Sequence, residues 1–119
     1  RVRVASNASA WLNRVKTGDV FSVPVSHGEG RFVCDSATLQ RLRENGQIFT
    51  QYVDLDGKPT MQSPFNPNGS VNAVEGIISP DGRVLGKMGH AERIGKGLYR
   101  NVAGNWDMGL FRSGVEYFK

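Results

Sequence analysis

Two histidines stand in the chain, and each is followed two positions later by a glutamate, as His27-Gly28-Glu29 and His90-Ala91-Glu92. In extended backbone, residues i and i+2 project to the same side. A carboxylate so placed can accept a hydrogen bond from one imidazole nitrogen and leave the other as a base. That is the base-plus-orienter half of a nucleophile–His–acid triad. The same spacing also suits a histidine that is only a hydrogen-bonded turn residue. Two imidazoles and two carboxylates are, in addition, enough donors for a tetrahedral or mixed metal site. Nothing else in the chain reinforces the metal reading, and the helical H-E-x-x-H spacing is absent.

A triad also needs an attacking group. Cys34 is the only thiol, and "FVCDS" puts it in or just after a strand, without the glycine-bracketed turn that exposes a nucleophile and supplies oxyanion-hole amides. It reads as a structural, half-buried cysteine. No serine has a nucleophile-elbow context either. Gly95-Lys96-Gly97 lacks the longer glycine pattern of a phosphate loop and reads as a surface turn.

The elements that must position these residues fit in one domain or a large part of one, since 119 residues are too few for two ordinary cores. There are 15 Lys plus Arg against 11 Asp plus Glu, a net charge of +4, and the charges are scattered. Without a basic run or an aromatic-basic alternation, no nucleic-acid partner is expected. No apolar run approaches a membrane span, and no segment resembles a signal peptide. A lone cysteine excludes an internal disulfide and fits a reducing compartment, so a cytoplasmic location is expected. The chain opens at Arg1 on strand-like alternation, which leads us to expect a segment of a longer domain.

The pattern predicts a mixed α/β fold with more strands than helices. Strands are expected over residues 1–4, 19–25, 31–34, 47–55 and 58–61, with a helical turn around Trp11, Leu12 and Val15. Ser36 is placed to cap a helix over 37–44 that Gly46 ends. Residues 63–70, "SPFNPNGS", read as a structured loop in which Asn66, Asn68 and Asn72 either tie their own backbone or face a neighbour. Residues 73–78 and 83–88 flank a Pro80-Asp81-Gly82 turn and form the clearest hairpin. A last helix, capped by Asn105 or Asp107, carries an apolar stripe of Met108, Phe111, Val115 and Phe118. Trp106 and that stripe are expected to pack on the domain or its neighbour.

"PVSHGEGRFV", "QYVDLDGKPT", "PFNPNGSVNAVEGIISPDGRVLGKMGHAER" and "GLFRSGVEYF" together resemble the C-terminal part of the glutamine amidotransferase domain of phosphoribosylformylglycinamidine synthases. The likeness runs over essentially all 119 residues. It implies the C-terminal portion (1–119) of a three-layer triad-glutaminase domain of the class I glutamine amidotransferase type, with a mixed sheet and hairpins, whose N-terminal portion is absent. It implies a part in releasing ammonia from glutamine for the ATP-dependent conversion of formylglycinamide ribonucleotide to formylglycinamidine ribonucleotide, a ligase reaction of purine biosynthesis. A noncatalytic module that binds the synthetase portion is the alternative.

By the same resemblance, His90 is the triad base and Glu92 its orienting acid. The family often has proline between them where this chain has Ala91, a change that leaves both side chains in place. His27, Glu29 and Arg31 are expected near the glutamine pocket or toward the synthetase, as substrate contacts or as loop support. The family's nucleophilic cysteine belongs to an upstream glycine-rich motif that no part of this sequence matches. The chain by itself is therefore expected to be inactive, and its expected partners are the cysteine-bearing half, the synthetase portion and glutamine. ATP and magnesium are expected in the synthetase portion, and no cofactor in this segment.

Overall fold

The computed structural model describes residues 1–119. One five-stranded sheet organises the chain, built from β1 (Val2–Val4), β2 (Val20–Phe21), β3 (Ile48–Tyr52), β4 (Val74–Ile78) and β5 (Leu85–Lys87) in the order β2-β1-β3-β4-β5. The α/β class holds, and all four strand pairings are antiparallel. The central position of β3 follows from its residues. Ile48, Phe49, Thr50 and Tyr52 are all buried, so this strand is covered on both faces, and its register against β4 shifts twice on either side of Thr50.

Val2 and Val4 point to one face of β1 and join Leu12, Val15, Phe21, Phe49, Tyr52, Ala73, Ile78, Met108 and Leu110 in the core. Helix α1 (Ser36–Glu44) and helix α2 (Leu110–Tyr117) complete the regular structure, with short 3-10 turns at Ala10–Leu12, Pro67–Gly69 and Val71–Ala73. No helix is long and apolar enough to cross a membrane.

Helix α1 ends as the sequence predicts, with Gly46 at φ +65° just beyond it. Its cap is Asp35, not Ser36: the Asp35 carboxylate accepts the Thr38 N–H at 2.7 Å. Hydrogen bonding from Thr38, by its side chain and then by its N–H, holds the Asp35 carboxyl below its ordinary pKa. None of the helix's residues is buried, and Leu39 and Leu42 are only half-covered.

The predicted strand at 31–34 does not form. Phe32 instead donates its N–H to the Ser70 hydroxyl (3.0 Å) and accepts from the Val71 N–H (2.9 Å), so it is stitched to an irregular loop that offers no ladder. The strand expected over 19–25 shrinks to Val20–Phe21. Pro24 has no N–H to donate, and beyond Phe21 the chain makes isolated bonds, Ser22 N–H to Asn105 O and His90 N–H to Pro24 O. The return strand at 58–61 is reduced to a single bridge, Val53 to Pro59.

The last helix is capped by Gly109 at φ +63°, while Asp107 accepts the Gly109 N–H at 2.9 Å and shapes the turn ahead of it. Its predicted apolar stripe is split: Met108, ahead of the helix, is buried in the core, and the other three residues face outward. Phe111, Val115 and Phe118 are 63%, 67% and 52% exposed, whereas Leu110, Ser113 and Gly114 are buried. The cause is steric. A Cβ on Gly114 would overlap the six-membered ring of Trp11, so the helix turns Ser113 and Gly114 inward beside Leu110 and leaves Phe111 and Val115 outside.

Candidate functional site

His90 follows β5 by three residues and Glu92 lies in the turn that begins there. The Nδ1 of His90 is 2.7 Å from Oε1 of Glu92. This bond holds the Glu92 carboxyl below the usual carboxylate range. A carboxylate only accepts, so the proton lies on Nδ1 and Nε2 is left as the free ring nitrogen of neutral His90. The pair therefore has the orientation that a general base needs. It forms in a turn, with Arg93 donating its N–H to the His90 carbonyl, and not in the extended backbone that the i, i+2 reading assumes.

His90 is fixed from several sides. Its backbone N–H donates to Pro24 O at 2.9 Å, and the neighbouring Arg93 guanidinium donates to the Ser26 hydroxyl. These two bonds tie the 90–93 turn to the segment that leads from β2 into "SHGEG". His90 and Glu92 border an open cleft of about 500 Å³ whose apolar walls include Trp11, Leu85, Met88 and Phe111. With side-chain exposures of 31% and 51%, both remain reachable from that cleft.

The second histidine behaves differently. The chain bends at Gly28 and Glu29, so His27 makes no bond to Glu29, which is exposed as is Arg31. Its Nδ1 is instead 3.4 Å from the side-chain amide of Asn68, which also donates to Gly30 O at 3.2 Å. Gly30 lies against the ring so closely that a Cβ there would sit 2.6 Å from His27 Cγ. The Nε2 of His27 is buried without a partner. The two H-x-E units are thus separate structures, one a hydrogen-bonded pair and one a loop anchor. No group of three or more His, Cys, Asp or Glu converges anywhere in the chain.

Within the asparagine-rich loop the roles divide. Asn66 is buried and ties its own backbone, accepting from Ser70 N–H and donating to Thr60 O and Ser70 O, while Asn68, at φ +61°, reaches His27. Cys34 is half-buried, immediately before the α1 cap, and does not line the cleft beside His90. Gly95-Lys96-Gly97 lies in an exposed run of turns.

One cluster at the site escapes a reading by motif. Glu75 on β4 is 2% exposed, and its carboxylate is bonded to the Lys87 ammonium (2.8 Å), the Gly89 N–H (2.7 Å) and the Thr50 hydroxyl. The one signal available in the sequence is a glutamate inside the otherwise apolar "AVEGII" with a lysine across the hairpin.

Comparison with known proteins places this geometry. Residues 1–118 match the CobB/CobQ-like glutamine amidotransferase domain. The chain is 43% identical over 97 residues to phosphoribosylformylglycinamidine synthase subunit PurQ of Moorella thermoacetica, covering 82% of this chain and 40% of that protein. It is 40% identical over 103 residues to the same subunit from Synechocystis, covering 87% and 45%. A chain in the structure of PurLQS from Thermotoga maritima superposes with a TM-score of 0.68 at 25% identity, over 99% of this chain and 45% of that one. The chain thus spans less than half the length of the relatives it matches.

Proposed function

Because the chain belongs to the CobB/CobQ-like glutamine amidotransferase domain family, we propose that it is the C-terminal portion of a glutaminase domain, with His90 as the base and Glu92 as its orienting acid. The domain would release ammonia from glutamine for the ATP-dependent conversion of formylglycinamide ribonucleotide to formylglycinamidine ribonucleotide. The observation that carries the reading is the 2.7 Å His90–Glu92 bond at the rim of the cleft.

In this reading, neutral His90 takes the proton of a cysteine thiol supplied by an upstream segment, and the thiolate attacks the side-chain amide carbon of glutamine. The imidazolium, stabilised by Glu92, returns that proton to the departing nitrogen as the C–N bond breaks and ammonia leaves. Water then hydrolyses the thioester to glutamate. Cys34 has no place in this sequence of steps, because it lies outside the cleft that His90 borders. Of His27, Glu29 and Arg31, His27 serves as loop support through its contact with Asn68, while Glu29 and Arg31 stay exposed on the segment that it anchors.

The outward face of α2 supports the same reading. Phe111, Val115 and Phe118 would be an expensive surface to leave in water, and Phe111 also lines the cleft. The cysteine-bearing segment is the occupant that would bring its thiol to His90 while covering this face, and the synthetase portion is the further partner. In this reading ATP and magnesium would be bound by the synthetase portion.

The test joins these 119 residues to the cysteine-bearing segment and measures glutamate release with and without His90→Ala. Turnover that depends on His90 is expected. Full turnover in the variant would remove His90 from the mechanism, and tight binding of the synthetase portion without any turnover would return the noncatalytic alternative.

A further inference from the structure

Gly89, the residue before His90, is held at both of its backbone polar groups by one buried ion pair. Glu75 Oε1 accepts the Gly89 N–H at 2.7 Å and the Lys87 ammonium at 2.8 Å, and the same ammonium donates to the Gly89 carbonyl at 2.8 Å. The ring of bonds closes on a single residue. The other carboxylate oxygen of Glu75 accepts the Thr50 hydroxyl on β3, so the carboxylate itself cannot swing. We propose that Glu75, with Lys87, is a positioning residue for His90, acting through Gly89. This rests on the reading of His90 as the base.

Glycine is the residue with the widest backbone freedom, and an unrestrained Gly89 would let the imidazole wander. Here the space beside Gly89 admits nothing larger: a Cβ would lie 2.7 Å from Val23 Cγ2 and 2.9 Å from Glu75 Oε1. The carboxylate therefore reaches bare backbone. On the far side, the His90 N–H is fixed to Pro24 O, so both peptide units that flank the Gly89 α-carbon have named partners, the second of them at its carbonyl and at its N–H.

Stability alone is a poor reason for this pair. Removing two charges from water offsets most of their attraction, and apolar residues of similar volume often serve a fold equally well. What charged groups supply that apolar ones do not is direction. Lys87 and Glu75 have side-chain exposures of 8% and 0%, and three of the four bonds that tie them together and to their surroundings involve Glu75 Oε1 or end on Gly89.

The decisive variant is the neutral double replacement Glu75→Met with Lys87→Met, which leaves no uncompensated buried charge and removes both side-chain partners of Gly89, made in the glutaminase domain that contains these residues and the cysteine-bearing segment. It should fold, keep the KM for glutamine within a few-fold, lower kcat by about 100-fold, and turn the single ¹⁵N tautomer signature of His90 into a mixture. Parental kcat with an unchanged His90 signature would overturn the clamp. A measurement on the unsubstituted 119-residue chain stands beside it and requires no variant: slow exchange of the Gly89 amide proton is expected, and fast exchange would equally overturn the proposal. His90→Ala run in parallel separates the two readings. If that variant keeps full turnover, the glutaminase role of His90 fails; if it is dead while the double variant is fully active, only the Glu75 clamp fails.

Discussion

The six-membered ring of Trp11 occupies the space that a side chain on Gly114 would need. This contact sets the rotation of α2 about its own axis, and through it the exposure of Phe111, Val115 and Phe118. Alanine at 114 would gain about 1 kcal/mol of helix propensity, but overpacking costs about 1–3 kcal/mol and the overlap here is severe. Gly114→Ala should lower the urea midpoint, and adding Trp11→Leu should restore much of the loss. A stabilised single variant would mean that the helix does not sit on Trp11.

Glu92 makes stability depend on pH in a stated direction. Its folded pKa is depressed below 4.5 by the hydrogen bond from His90. Its contribution is therefore present above the unfolded carboxylate value and disappears as pH falls through the lower folded value. The difference in unfolding free energy between the parent and Glu92→Gln should be seen at pH 6 and be smaller at pH 3. A difference that persists unchanged at pH 3 would show that the carboxylate charge plays no part.

Asn66 is 1% exposed and spends its side chain on three backbone groups, the Ser70 N–H and the Thr60 and Ser70 carbonyls. Asn66→Ala would strand the Ser70 N–H in a dry site, at a cost of about 1–3 kcal/mol. Asn66→Asp keeps the acceptor but sets a buried carboxylate against the Thr60 and Ser70 carbonyls, so at neutral pH its midpoint should fall at least as far as that of the alanine variant. Equal midpoints for all three proteins would place the loop's order elsewhere.

Phe111 lies at the junction of the cleft and the outward face of α2. Burying a phenylalanine is worth about 1.5–3 kcal/mol, so Phe111→Ser should weaken capture of the cysteine-bearing segment by about 10- to 100-fold in a titration. The isolated chain should at the same time bind less of a hydrophobic dye. Undiminished capture would place the partner on another surface.

Much of the architecture is legible in the sequence because local signals agree there. Val2 and Val4 alternate with Arg3, Gly46 and Gly82 both adopt the positive φ of a stop or a turn, and the Pro80-Asp81-Gly82 hairpin pairs β4 with β5. Where the signals fail, a long-range contact decides. "RFVC" has strand-forming residues, but Phe32 finds Ser70 and no ladder. The α2 stripe has the right period, and period says nothing of which face a tryptophan ring can approach. At the site, spacing brings His90 and Glu92 to notice though the backbone there turns, while Glu75 stays hidden until the register of β4 against β5 sets Lys87 beside Gly76.

Helix α1 is fastened at its two ends, by the Asp35 cap and by the Gly46 turn, and along its length it seats no side chain in the interior. Such a segment opens and closes without asking the sheet to follow. In a deuterium-exchange experiment its amides should trade hydrogen long before those of β3, which makes this helix the chain's hinged flap and the central strand its keel.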